Sequence, residues 1–169
     1  ITYKVGEIVF RKSLVLAQDR DQVLVKFEVL ESPTPVVLQL RPYLAFRNVH
    51  DLTHENPDAN LAGSDIQNGM SYRLYANFPN LNLQVSDGRA KFVASPYWNK
   101  DITYSDEYRR GFDCKEDLVV PGWFEARLRK GDSLVFSASI QEEGQAVLPG
   151  KLFTELIRKM PNGTVNISV

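Results

Sequence analysis

A mainly β chain, folded as an antiparallel β-sandwich with one helix near its C-terminus, is what this sequence predicts. Short runs rich in Val, Ile, Leu, Phe and Tyr recur at regular spacing, about ten in all, as sandwich strands do. Turn residues punctuate them: Glu31-Ser-Pro-Thr-Pro35, Asn77-Phe-Pro-Asn80, Ser86-Asp-Gly88, Pro121-Gly122 and Lys130-Gly-Asp132. No apolar pattern of helical period persists before Pro149.

Taken in order, residues 7–16 and 22–30 predict a long hairpin across the polar turn AQDRDQ, and 36–41 a third strand. The prolines at 33 and 35 break the ladder between them, because proline brings no backbone donor. Residues 51–69 carry Pro57, Gly63 and Gly69 without a sustained period and read as a long loop. Strands are expected at 70–76, 81–86 and 90–94, the last two joined by an Asp87-Gly88 hairpin turn. Ser105 to Gly111 fits one helical turn, capped by Ser105 or Asp106 and ended by glycine. Residues 117–120, 123–128 and 133–139 complete the sandwich, the first two parted by a Pro121-Gly122 turn. From 149 to 160, Leu152, Phe153, Leu156 and Ile157 share one face of a helix opposite Lys151, Arg158 and Lys159. Pro161-Asn-Gly163 ends it, and 164–169 reads as a last strand. Two segments result: a sandwich domain over 1–143 and a helix-strand tail over 144–169.

Composition narrows the function. The 169 residues carry 20 basic and 21 acidic side chains, so the basic stripe of a nucleic-acid binder is not expected. Apolar runs fall short of a membrane span, and the N-terminus does not read as a signal peptide. The chain begins within a strand and without methionine, as a fragment does. One cysteine, Cys114, leaves no internal disulfide and favours a cytoplasmic origin. No cofactor is expected.

The stretch Leu38 to His50 is the sharpest feature. Pro42 ends the strand, and Arg41, Arg47, Asn48 and His50 follow among Tyr43 and Phe46. Arginine and asparagine can hold sugar hydroxyls, and histidine can orient a proton. The same residues can equally pin the long loop to the sandwich or face a neighbouring domain, and that reading is preferred. Tyr97, Trp98, Tyr104, Tyr108 and Trp123 are candidate sugar platforms. Trp98, between Tyr97 and Asn99, is the expected exposed platform, and Trp123 is expected in the core. The adjacent acids Asp19/Asp21, Asp106/Glu107 and Glu116/Asp117 are expected to point apart or face solvent. His50 and His54 sit in loop sequence, which argues against a metal site.

Four pieces resemble a known family in order and spacing: VLAQDRDQVLVKFE at 15–28, LRPYLAFRNVHDLTHEN at 40–56, YRRGFDCKEDLVVPGWFE at 108–125 and KGDSLVFSAS at 130–139. Together they resemble the N-terminal domain of the archaeal and bacterial glycogen debranching enzymes, the amylo-α-1,6-glucosidases. The resemblance implies a glucoamylase-type N-terminal β-sandwich, in the family followed by a catalytic (α/α)₆ toroid. It also implies that part of one sheet precedes Ile1 and that the paired carboxylates of a glycosidase lie elsewhere. The expected role is an accessory α-glucan-associated module; the alternatives are an enzyme in its own right and a structural or homodimeric module without glucan affinity. The tail from Gly144 is similar to a short helix-strand piece of the bacterial sliding clamp.

Overall fold

A computed structural model describes residues 1–17, 20–86 and 88–141. The helix expected at 149–160, the strand at 164–169 and the boundary near 143 lie outside the described residues. Ten strands and one short helix are described: β1 (Thr2–Val5), β2 (Ile8–Leu16), β3 (Gln22–Glu31), β4 (Val36–Leu40), β5 (Gly63–Ile66), β6 (Gly69–Tyr72), β7 (Asn80–Val85), β8 (Lys91–Thr103), α1 (Ser105–Arg110), β9 (Lys115–Leu128) and β10 (Ser133–Gln141). They form two antiparallel sheets, one of seven strands ordered β1-β2-β3-β10-β7-β6-β5 and one of three ordered β4-β9-β8.

Alternation of side chains across each strand builds the layer between the sheets. From the large sheet come Val29, Tyr72, Leu83, Val85 and Leu134; from the small one Phe124, Ala126 and Leu128, all buried in one cluster. Phe124 sits between Phe92 and Phe136, with ring centroids 4.9 and 5.8 Å away, so an aromatic column ties the sheets together. Burying a side chain of this size contributes about 2–3 kcal/mol. Tyr72 of β6 meets Phe92 of β8 at 6.4 Å, which places β8 over the β6 side of the large sheet. The sandwich expected from the sequence is thus the observed architecture.

Several local expectations are corrected. Pro121-Gly122 is no turn: β9 runs unbroken through it. Opposite, Ala94 pairs with Gly122 and Tyr97 with Val120, so Ser95 and Pro96 bulge against Pro121 alone. The bulge falls where both chains bring a proline, so the ladder gives way where donors are missing anyway. Val119 joins the core from an odd position, whereas Phe124, Ala126 and Leu128 join it from even ones. Gly122, at φ 142°, is the joint at which the strand turns over. The Ser86–Gly88 connection is no hairpin either, because β7 and β8 belong to different sheets. A missed strand, β5, lies inside the long polar loop and pairs with β6. In α1 the cap position belongs to Tyr104, with no side-chain capping bond, and Ser105 is the first helical residue; Gly111 ends the helix at φ 77° as expected.

Candidate functional site

Pro42 releases the chain from β4, and the segment that follows is fixed to β9. The Leu44 amide donates to the Val119 carbonyl at 2.9 Å. Leu44 and Phe46 turn inward into the core, Phe46 edge-on to Phe78 at 5.9 Å. Alternation then directs Arg47 the other way, towards the start of β9. Its guanidinium donates to the backbone oxygens of Asn48 and Val49 at 3.0 and 3.2 Å. The Asn48 side chain accepts the His50 amide at 3.1 Å, an Asx turn that shapes the tip of the loop.

Glu116 is where these contacts converge. Its side chain is wholly buried, at 0% exposure. Arg47 donates to it through both Nε and Nη2, the latter at 3.0 Å, in the fork geometry of an arginine–carboxylate pair. Thr53 donates its amide at 3.1 Å and its hydroxyl at 2.9 Å, and the Tyr104 hydroxyl donates as well. Burial opposes the charge on Glu116, but the bonds from Arg47, Tyr104 and Thr53 outweigh it and hold the carboxyl at about 2. The hydrogen bond to Glu116 in turn raises the Arg47 and Tyr104 values.

The neighbouring acid points elsewhere. Asp117 accepts the backbone amides of Glu55 and Asp101 at 3.0 and 2.9 Å, which lower its pKa, and its own amide donates to Thr53. Two adjacent acids therefore stitch one loop to both β8 and β9. The expectation that they point apart holds; what sequence reasoning missed is that Glu116 is buried. The signal was present in the even register of Leu118 and Val120, both buried, on which Glu116 also falls.

A pH dependence follows. An unfolded glutamate titrates near 4.5 and the folded Glu116 at about 2. The folded pKa is the depressed one, so the stability it contributes is present above 4.5 and is lost as pH falls towards 2. The separation corresponds to about 3 kcal/mol. Acid titration of unfolding is expected to show that loss between these limits, and Glu116→Gln to flatten it. An unchanged profile in the variant would show that the carboxylate is not held as described.

The loop tip stands between two open clefts. One, about 750 Å³, is lined by His50, Asp51, His54, Tyr75, Asn77 and Asp113 among others, with Arg47 and Asn48 at its wall. The other, about 610 Å³, runs towards α1 between Val49, Tyr104, Glu107 and Phe112. Arg47, Asn48 and His50 thus come together as expected. Arg41 does not join them: its guanidinium lies over the Trp123 ring, 5.2 Å from the centroid, on the small sheet. Neither tryptophan takes its expected place. Trp98 packs against the core, whereas Trp123 is outside the core cluster and its indole N–H donates to Glu125 at 3.3 Å. Tyr97, beside Trp98 in sequence, is exposed. Among the described residues no group of three or more His, Cys, Asp or Glu side chains is gathered as a metal ion would require, and no helix is long and apolar enough to cross a membrane.

Residues 1–135 match the family model described as glycogen debranching enzyme N terminal. The chain belongs to that family. A comparison with curated proteins finds no match. In this debranching-enzyme module the two longest family-like pieces, 40–56 and 108–125, are the two that meet at Glu116. Arg47 and Thr53 on the first, and Tyr104 just before the second, together satisfy the buried Glu116 carboxylate that the second carries.

Proposed function

We propose that this module of a glycogen debranching enzyme holds an α-glucan chain in the cleft beside His50, next to the catalytic (α/α)₆ domain of the parent protein. The observation that carries the reading is the chemistry of that cleft. Donors and acceptors from His50, Asp51, His54, Asn77 and Asp113 surround an open space of about 750 Å³, with the ring of Tyr75 at one side. Hydroxyl-rich sugars are bound by such sets, planar amides and carboxylates taking paired hydroxyls and an aromatic face taking the apolar face of a pyranose. The loop that brings these groups is held by a buried ion pair, so the set is preorganised. Glu116 and Asp117 are occupied by structural bonds, and neither is placed to act as a glycosidic acid or base.

Val49 and Phe112, 80% and 64% exposed, flank the second cleft and favour a protein neighbour there. A catalytic domain seated on that side would place its site beside the sugar cleft.

Amide exchange with and without a maltooligosaccharide tests the reading. Slowed exchange confined to 46–54, 75–78 and the neighbourhood of Asp113 is the expected result. Protection elsewhere, or none at millimolar sugar, would contradict it.

A further inference from the structure

The outer face of the large sheet is buried, although no described strand or helix lies on it. In β10, Leu134, Phe136 and Ala138 turn towards the layer between the sheets, so Val135, Ser137 and Ser139 point the other way. Residues paired across strands share a face. Ser137 pairs with Leu24 of β3 and Gln84 of β7, and Ser139 pairs with Gln22 and Asn82. A mostly polar face of this kind is ordinarily turned to solvent. Instead Leu24, Val135 and Asn82 are each 2% exposed and Ser137 is 0% exposed. Leu24 and Val135 stand outside the cluster between the sheets. The small sheet lies on the opposite face, and α1 buries none of its residues, so neither provides the cover. Lateral neighbours do not close the row: Leu24 stands between Val15 of β2 and the short side chain of Ser137.

We propose that segment 149–160 of this same chain docks on that face as an amphipathic helix, its stripe of Leu152, Phe153, Leu156 and Ile157 against Val15, Leu24 and Val135. The burial is found in a single chain, so no partner is needed to produce it. Connectivity agrees. β10 ends at Gln141, paired with Asn80, next to the row of Gln22, Ser139 and Asn82. The stretch from 142 to 149 spans about 26 Å when extended, enough to bring the chain back over the sheet.

Size and chemistry agree as well. A helix over 149–160 is about 18 Å long, close to the width of four strands spaced about 4.8 Å apart. The buried row crosses β3, β10 and β7, with Val15 of β2 at its side. Leu24 and Val135 give an apolar stripe its counterpart. Gln22 donates through Nε2 to the Ser137 hydroxyl at 2.8 Å, while its Oε1 is buried without a partner. A buried acceptor requires a donor, and the covering segment is where one can come from.

The test uses the full chain with a nitroxide at Arg158→Cys, opposite the apolar stripe, in a Cys114→Ser background. Amide signals of β3, β7 and β10 are expected to broaden more than those of the small sheet, which lies about 10 Å further away. Equal broadening of the two sheets, or none, would overturn the proposal. A mixed sample, with the nitroxide and the isotope label on different chains, is expected to show no broadening. Broadening there would assign the face to a second copy and overturn the proposal too. A second variant, Leu156→Asp, breaks the stripe at a position outside the sandwich strands. Exchange of the β3 and β10 amides is expected to quicken about tenfold in it, and unchanged rates would contradict the docking.

Discussion

Arg47→Ala is expected to destabilise the module by about 3–5 kcal/mol, the range for stripping one partner from a buried ion pair. The loss has an identifiable origin. Glu116, at 0% exposure, would keep its charge while losing two of its donors, and the carbonyls of Asn48 and Val49 would lose theirs. Urea unfolding would read the change, accompanied by a fall in Tm of roughly 10 °C. Arg47→Lys distinguishes charge from geometry: it retains the charge but cannot make the fork, so it should recover only part of the loss. Wild-type stability in Arg47→Ala would remove Glu116 from its central place.

Gly122→Ala should be comparably damaging, for a reason of shape rather than charge. A Cβ at this position would stand 2.1 Å from the Val93 carbonyl oxygen, on a backbone at φ 142° that side chains rarely adopt. Neither partner can yield, since both belong to the β8–β9 ladder and Pro121 beside it is fully buried. Strain and overpacking together predict a loss of about 4 kcal/mol. Gly111→Ala is the natural control. It also has positive φ, but nothing lies within 4 Å of the added carbon, so only about 1 kcal/mol of strain is expected. Equal effects at the two positions would show that contact with Val93 is not what matters.

The difference between these two glycines also shows what a sequence displays and what it hides. Gly111 follows a short polar helix, and its role as a terminator can be read locally. Gly122 beside Pro121 has the local signature of a turn, yet β8 supplies a bulge opposite it and the strand continues. Nothing near residue 121 announces the bulge at residues 95–96. The Asp87-Gly88 signal failed for the same reason: turn chemistry specifies a reversal, not which sheet the next strand joins. The sandwich was legible because alternation and punctuation are local; the strand list was less so, since β5 hid in polar sequence and two expected strands are the single β9. The meeting of Arg47 with Glu116, 69 residues apart, was not, because it depends on how loop 41–62 lies across β9. Arg41 shows the converse. It is near Arg47 in sequence, but it lies before Pro42 on the small sheet, and so it stacks on Trp123 rather than joining the cleft.

The role of the cleft is tested most directly by calorimetric titration of a maltooligosaccharide into the chain and into His50→Ala, with Tm measured on both. His50 is exposed and lines the cleft without bracing the loop through its ring, so an affinity about tenfold weaker, or about 1.4 kcal/mol, is expected with Tm unchanged. Equal affinity for the two proteins would contradict the assignment of this cleft to glucan.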